Sequence, residues 1–317
     1  MTTDVSYTTE EISKLLKISK LTVYDLIKKG ELTAYRVGKQ MRVDAQDLEA
    51  YKTRAKGGKH PVASIEAAEP IGHQPVQYSS SPKQSLVITG QDVSLDILAK
   101  HIERHAAPYR PLRAYVGSLD SLISMYKGES DIVSTHLLDG DTGEYNVPYI
   151  RKLLIGSSYV VVNLVSRSAG LFVQQGNPKQ LYGWGDLKKA DLRVVNREKG
   201  AGARVLLDEQ LRLHGISPQQ LHGYEQEESN HMGVAGKVAT GEADFGVGIE
   251  KAAVMVGGVD FIPLIQERYD LVMLKKPENL AWIEQVKHIL QSEAFHNELR
   301  PIRGYDLSLS GRVMYET

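Results

Sequence analysis

The sequence contains no cysteine among its 317 residues. This absence excludes disulfides, thiolate metal ligands, iron–sulfur clusters and cysteine nucleophiles, and it fits a reducing compartment. No uninterrupted apolar run approaches the roughly 18 residues that a membrane span needs. The amino terminus also lacks the basic and then apolar segments of a signal peptide. We therefore expect a cytoplasmic protein with no membrane partner.

Catalytic motifs are missing as well. The sequence shows no nucleophile elbow, no Walker loop and no pair of carboxylates at strand ends. Gly200 and Gly202 lack the third glycine of a dinucleotide fingerprint, and the segment from His101 to His105 does not have the order of the zinc motif His-Glu-x-x-His. We expect no enzyme activity and no metal site, and we expect both histidines to lie on a surface helix.

The composition is that of an ordinary globular protein, with 42% hydrophobic and 24% charged residues. The length predicts two or three domains. The net charge of −1 is unevenly spread, because residues 1–59 carry 12 Lys and Arg against 8 Asp and Glu. A positive segment of this kind favours contact with nucleic acid, since neutralised phosphates supply most of the non-specific affinity.

Residues 1–56 have the pattern of two short helices followed by a hairpin and a third helix. Thr8 and Glu11 have the spacing of a capping box ahead of the first helix, and Ser19 is placed to cap the second helix. We expect Leu21, with three further apolar residues of the second helix, to face the core. Two β-like runs then flank a basic turn, which indicates a β-hairpin wing.

This pattern resembles the excisionase/MerR-like winged helix-turn-helix, and the likeness spans the whole first domain through the segments 7–16, 19–32 and 35–43. In that family the second helix lies in the major groove of DNA, and the wing follows the backbone or the minor groove. A cap role for Ser19 and partial core packing for Tyr24 are the alternative interpretations. The resemblance implies double-stranded DNA as a partner and these contact residues: Ser19, Lys20, Thr22, Tyr24, Arg36, Lys39 and Arg42.

Residues 57–84 are interrupted by glycine, proline and serine, and this composition predicts a linker. From 85 to 317 strand-like and helix-like runs alternate, which predicts an α/β fold with mostly parallel sheets. Ligands of such sheets lie at the carboxyl ends of the strands, beside the amino termini of helices.

The run 196–204 has the character of such a site, because it follows an apolar strand-like run, contains two glycines and opens a helix-like run. Unpaired amides of a first helical turn favour an anion. Small or polar residues occupy the equivalent positions elsewhere, and for Arg197 and Arg204 structural pairing with nearby acids is the alternative. We expect one anion cleft formed by these residues: Thr89, Gly90, Gln91, Gly117, Ser118, Thr135, His136, Asn196, Arg197, Gly200, Ala201, Gly202, Ala203, Arg204, Asn230, His231 and Gly248.

Together with glycine-rich and acidic segments at 128–131, 143–146 and 241–246, these residues resemble the periplasmic-binding-protein-like (type II) domain, which is found fused to helix-turn-helix modules or to molybdopterin-biosynthesis proteins. That domain is similar to periplasmic molybdate/tungstate-binding proteins. The resemblance implies molybdate or tungstate as the effector. It also implies two lobes, one formed by about 85–165 with 266–317 and the other by about 166–265.

One departure bears on the ligand. The family usually has Gly-Ser-Gly-Thr-Arg where this chain has glycine at 200 and 202 with alanine at 201 and 203. Two hydroxyl donors are therefore missing, whereas the backbone amides remain.

We predict a one-component transcriptional regulator that binds an operator as a homodimer through its winged helix-turn-helix and senses a small oxyanion in its second domain. A molybdate/tungstate binding or storage protein and an accessory protein of molybdenum-cofactor metabolism are the alternatives. An excisionase-type recombination factor would explain only the first domain.

Overall fold

The computed structural model describes residues 6–16, 18–29, 31–37, 40–55, 84–106 and 108–317. The chain divides into two compact units, residues 1–77 and 78–317. The predicted linker at 57–84 lies outside the described residues except for its last position. In the described ranges no helix is both long enough and apolar enough to cross a membrane.

The first unit combines short helices with a three-stranded antiparallel sheet, whose strand order is β1-β3-β2. Its described elements are β1 (Ser6–Thr8), α1 (Thr9–Leu16), α2 (Lys20–Lys28), β2 (Tyr35–Val37), β3 (Gln40–Asp44) and α3 (Ala45–Ala55). The side chains that fill its core come from four of these elements and one turn: Ile12, Val23, Leu32, Val43 and Leu48.

Both predicted helix starts in this unit are confirmed. The amide of Thr8 donates to Glu11 Oε2 (2.8 Å), and the amide of Glu11 donates to Thr8 Oγ1 (3.3 Å), which completes the capping box. Ser19 Oγ accepts a hydrogen bond from the amide of Thr22 (3.1 Å) and caps α2. These bonds satisfy amides that a helix start leaves unpaired.

The predicted inward position of Leu21 is wrong, because 82% of this residue is exposed. Val23 is fully buried and marks the inner side of α2. Two residues along an α-helix turn through about 200°, so Leu21 lies on nearly the opposite side of the helix. A nine-residue helix with apolar residues at 21, 23, 26 and 27 cannot bury all four.

The second unit has an α/β fold built around one ten-stranded sheet, with the strand order β5-β4-β6-β11-β7-β10-β8-β9 and with β12 and β13 paired to β7. Its strands are β4 (Gln84–Thr89), β5 (Tyr109–Ala114), β6 (Ile132–Thr135), β7 (Tyr159–Gln174), β8 (Val194–Arg197), β9 (Glu227–Glu228), β10 (Phe245–Ile249), β11 (Val259–Leu274), β12 (Tyr305–Asp306) and β13 (Val313–Glu316). Its α-helices are α4 (Ser94–His105), α5 (Ser118–Tyr126), α6 (Val147–Leu153), α7 (Gly202–Leu213), α8 (His231–Ala239), α9 (Glu250–Val256), α10 (Leu280–Gln291) and α11 (Glu293–Leu299).

Two long strands divide this unit into lobes. We define lobe 1 as β4 to α6 together with α10 to β13, and lobe 2 as β8 to α9; β7 and β11, each 16 residues long, run through both lobes. The strands β4, β5 and β6 pair in parallel, as do β8, β9 and β10, whereas β7 and β11 are antiparallel to their neighbours. The mostly parallel sheet that the βα alternation predicts is therefore interrupted at its centre.

Strand β7 is buried along almost its whole length, as is typical of central strands in α/β sheets, which are covered on both faces. Val160 and Val162 pack into the core cluster beneath α4 and α10, whereas Val161 packs into the cluster beneath α5 and α6. Successive side chains of a strand point to opposite faces. One strand thereby anchors helices on both sides of lobe 1.

The helix predicted to carry both histidines at the surface is α4, and it has an exposed and a buried side; His101 lies on the buried side and is 3% exposed. Its Nε2 lies 3.1 Å from Glu298 Oε1, and its ring meets the ring of Phe295 edge-on. Both partners belong to α11, nearly 200 positions later in the chain. His105 is exposed, as expected.

Candidate functional site

The first candidate site is the exposed face of α2. Lys20 and Thr22 are exposed there, and Lys20 Nζ lies 3.8 Å from a carboxylate oxygen of α1. Ser19 Oγ also lies 2.8 Å from Thr22 Oγ1, so these two side chains hold each other at the helix start. Tyr24 is 44% exposed, and its hydroxyl accepts a hydrogen bond from Thr9 Oγ1 at 3.4 Å. Part of the Tyr24 ring therefore stays available on this face.

The strands of the wing supply further cations. Arg36 is exposed on β2, opposite Met41 in the register of the hairpin. Arg42 on β3 is half-buried, and its Nη1 donates to Ser6 Oγ at 3.1 Å. Lys39, at the predicted wing tip, lies outside the described residues. Among the described members of the predicted set, Lys20 and Arg36 are thus the exposed cations.

The second candidate site is a cavity of about 490 Å³ in the second unit. It lies where chain segments leave the sheet, as the residues 90–93 after β4, 116–118 after β5 and 201–202 after β8 all line it. The amino termini of α5, α7 and α8 open onto it, and first-turn amides have no acceptor within their own helix. The geometry therefore favours negative charge in the cavity.

The two lobes touch at the edge of this cavity. Gln91 of lobe 1 donates through Nε2 to Glu198 Oε1 (3.0 Å) and accepts from Arg197 Nη2 (2.5 Å), both in lobe 2. The amide of Leu119 donates to the carbonyl of Gly200 (3.0 Å). A Cβ at Gly117 would lie 3.0 Å from the backbone at 200 and 201, so glycine permits this approach.

A buried charge network lies at the floor of the cavity, on the two crossing strands. Arg167 of β7 donates through Nη1 to Asp92 Oδ2 (2.8 Å) and through Nη2 to Glu267 Oε1 of β11. His136 Nδ1 lies 3.0 Å from Glu267 Oε2. The guanidinium of Arg167 also stacks 4.0 Å from the ring centroid of Tyr269. Charged groups are rarely buried this deeply unless they are paired, and here each has a partner.

Protonation in this network follows from its pairing. Burial acts to raise the pKa of Glu267, but the Arg167 guanidinium and His136 outweigh it and lower that pKa to about 2. Asp92 responds in the same way, because Arg167 overcomes burial and its pKa falls below the usual range. Burial raises the pKa of the Tyr269 hydroxyl to about 12. The carboxylates of Asp92 and Glu267 are therefore ionised at neutral pH.

Two further titratable groups line the cavity. Burial, followed by the positive charges of Arg197 and Arg167, lowers the pKa of His231 well below its ordinary value, so its ring is neutral at pH 7. Its Nδ1 has no hydrogen-bond partner among the described residues. Burial lowers the pKa of Lys251, and nearby Asp92 opposes that shift.

Many of the residues predicted for the cleft come together at the cavity wall: Gly90, Gln91, Gly117, Ser118, His136, Arg197, Ala201, Gly202, Asn230 and His231. The remaining predicted residues do not line it: Thr89, Thr135, Asn196, Gly200, Ala203, Arg204 and Gly248. Thr89 and Thr135 are buried, and their hydroxyls lack partners in the described part of the chain.

Arg204 shows why some of the predicted residues do not line the cavity. Its Nε donates to Asp208 Oδ1 (3.1 Å), its Nη1 donates to Glu227 Oε1 (3.2 Å), and its guanidinium stacks on Tyr224. Arg197 does line the cavity, but its nitrogens are engaged with Gln91, Glu198 and two backbone carbonyls. Structural pairing, the alternative interpretation of both arginines, describes their observed contacts.

Sequence reasoning missed a larger set of lining residues: Asp92, Val93, Asp96, Val116, Ser134, Arg167, Met232, Ile249, Lys251, Ala252, Met255, Tyr269 and Ile302. A signal was present for Arg167, because it interrupts a long apolar run in the sequence. A charge in such a run indicates either a strand end or a buried pair. The apolar members carry no comparable signal.

Comparison with known proteins separates the same two parts of the chain. Residues 6–56 match the family described as Helix-turn-helix domain, and residues 99–291 match the family described as PBP superfamily domain. The Bacillus subtilis (strain 168) protein YvgK, described as uncharacterized, is 53% identical over 312 residues, which cover 98% of each chain.

Solved structures share the fold. An OxyR mutant of Corynebacterium glutamicum in its H2O2-bound form has a TM-score of 0.52 at 13% identity, covering 93% of this chain and 89% of its own. A putative L-cystine ABC transporter from Listeria monocytogenes has a TM-score of 0.51 at 16% identity, covering 70% of this chain and 96% of its own. At these identities the likeness concerns the fold alone.

Proposed function

The chain belongs to the PBP superfamily and also carries a helix-turn-helix domain, and on this premise we propose that it is a one-component transcriptional regulator. Its first unit binds double-stranded DNA, and the cavity of its second unit binds a small anion. The observation that carries the proposal is that α5, α7 and α8 all begin at one cavity, in the same chain as a helix with an exposed basic face.

Ligand binding is coupled to lobe closure in this proposal. The contacts from Gln91 to Arg197 and Glu198 join the lobes at the rim of the cavity. A ligand that touches both lobes stabilises this arrangement by its differential affinity for the closed state. The chain acts as a homodimer, because one small domain buries too little DNA surface for high specificity. Closure then changes how two protomers present α2 to two half-sites.

Molybdate and tungstate are the oxyanion candidates within this proposal. Neutral donors can hold such an ion, and amides at the starts of α5 and α7 with the hydroxyl of Ser118 are the donors available here. Calorimetric titration of the anion-stripped protein with both ions, using sulfate and phosphate as controls, tests this part. Tight binding of the first two alone would support it, and no heat with any of the four would remove it.

DNA binding is tested separately by gel retardation with a fragment selected from a random pool. Lys20→Ala and Arg36→Ala should each weaken retention, whereas Lys100→Ala, at an exposed lysine of the second unit, should not. Retention that is unchanged in the Lys20 and Arg36 variants contradicts the assignment of this face. A storage protein, the alternative function, would bind ligand and retain no DNA. Sedimentation with and without the fragment tests the dimer.

A further inference from the structure

The size of the cavity bears on the ligand. A tetrahedral oxyanion occupies roughly 100 Å³, on the scale of three to four water volumes of about 30 Å³ each. The cavity measures about 490 Å³, which lies in the range of pockets for organic ligands, roughly 300–1,000 Å³. A bare oxyanion would therefore fill only a small part of the cavity volume.

Much of the cavity wall is apolar. It includes aliphatic and thioether side chains from both lobes: Val116, Met232, Ile249, Ala252, Met255 and Ile302. Covering such a wall with an apolar ligand surface is favourable, because both surfaces are then removed from water. A strongly hydrated inorganic ion gains no such free energy from contact with the wall, whereas a hydrocarbon group does.

The charges of the cavity indicate how much negative charge the ligand carries. Arg167 pairs with both Asp92 and Glu267, which leaves one negative charge over, and Arg197 is neutralised by Glu198. Lys251 forms no ion pair within the described ranges; its Nζ lies 5.7 Å from the ring centroid of Tyr305 and its side chain lines the cavity.

The starts of two helices supply fixed polar groups at the cavity wall. Ser118 at the start of α5, and Ala201 and Gly202 at the start of α7, all line the cavity, and first-turn amides favour an anion. Beside these amides the side-chain charges nearly cancel, because Lys251 offsets the one negative charge that Asp92 and Glu267 leave over after pairing with Arg167. This combination suits one carboxylate better than a dianion.

We propose that the ligand of this cleft is an organic monocarboxylate, whose carboxylate contacts Lys251 and whose apolar body lies against the wall formed by Met232, Ile249 and Met255. The inference rests on the proposed function because it concerns the same cleft. It differs from the oxyanion hypothesis in requiring an apolar body. The two ligand classes therefore give opposite results in one titration series.

The experiment uses the full chain and the straight-chain carboxylates from acetate to octanoate, titrated calorimetrically beside molybdate. Affinity should rise about fourfold for each added methylene until the chain fills the cavity. Lys251→Gln should weaken every member by on the order of tenfold to a hundredfold, because a charge-assisted contact is lost.

Met255→Gln tests the apolar wall, and its fold is expected to be intact because 61% of Met255 is exposed. It adds no charge beside Lys251, so it should weaken the longer carboxylates and leave acetate nearly unchanged. Ile155→Gln is the matched control, since Ile155 is 76% exposed and does not line the cavity. It should change no affinity.

Three results would overturn the inference: affinity that does not change with chain length, tight molybdate binding without carboxylate binding, and no binding of any member. A failure of the proposed function is distinguishable from these. If carboxylates bind with the expected chain-length dependence but the protein retains no DNA, the regulator proposal fails and the ligand class stands.

Discussion

Replacing Arg167 by methionine tests whether the buried charge network stabilises the second unit. Arg167 lies on β7, directly opposite Glu267 on β11 in the register of the sheet, and it also reaches Asp92 beyond β4. Asp92 is 5% exposed and Glu267 is 1% exposed. Methionine fills a similar volume but leaves both carboxylates without their common cation.

The expected loss is about 3–5 kcal/mol of the free energy of unfolding of the second unit, the usual cost of removing one partner from a buried ion pair. Asp92 keeps hydrogen bonds from Ser94 and Tyr305, and Glu267 keeps His136. These remaining donors keep the expected loss within the range for one broken pair, although two carboxylates are affected.

The loss should depend on pH. In the natural protein the pKa of Glu267 falls from 4.5 to about 2 in the folded state, so this stabilisation is present above pH 4.5 and is lost as the pH falls toward 2. In the variant, burial without Arg167 raises the pKa of both carboxyls above their ordinary values. The variant's carboxyls then destabilise the fold as the pH rises, so the difference between the two proteins shrinks as the pH falls from 7 to 4 and shrinks further toward pH 2.

Urea unfolding followed by tryptophan fluorescence measures this quantity, because both tryptophans of the chain, Trp184 and Trp282, lie in the second unit. Arg300→Met is the control, since Arg300 pairs with Glu293 at the surface and such pairs contribute about 0–1 kcal/mol. A loss below about 1 kcal/mol for the Arg167 variant, or a loss that does not change between pH 7 and pH 4, would refute the reasoning.

Three further predictions concern other parts of the molecule. Lys20→Ala and Arg36→Ala should each lower the slope of log affinity against log salt for DNA by about 1, measured by retardation at several salt concentrations; unchanged slopes would argue against phosphate contacts. Gly117→Ala should weaken ligand binding about threefold to tenfold, as its Cβ strains the contact between the lobes, while Gly236→Ala, whose Cβ meets nothing, should not. Leu32→Ala should destabilise the first unit by about 2–5 kcal/mol, seen by hydrogen exchange with the second unit as reference, and full protection would contradict it.

Local sequence spacing was sufficient to predict the caps of the first two helices and many of the residues that line the cavity. The capping pair of Thr8 and Glu11 and the cap at Ser19 depend on residues three apart, so they could be predicted without knowledge of the rest of the chain. The alternation of strand and helix likewise placed Ser118 and Gly202 at helix starts, and the fold brings both to the cavity.

The pattern of apolar residues in a short helix did not decide which of them face the core. Leu21 and Val23 are both apolar, and Val23 joins the core that α2 shares with α1, β3 and α3, whereas Leu21 is exposed. His101 shows the same dependence, because α11, which buries it, lies far along the chain.

The sequence by itself determined which residues start and end elements, because capping and periodicity act over a few residues. Only the tertiary structure decided that Arg167 meets Glu267, 100 positions away, and that Lys251 lines the cavity without forming an ion pair within the described ranges. Such contacts depend on the register of β7 against β11 and on the approach of the lobes. Both are properties of the packed sheet, and no local pattern encodes them.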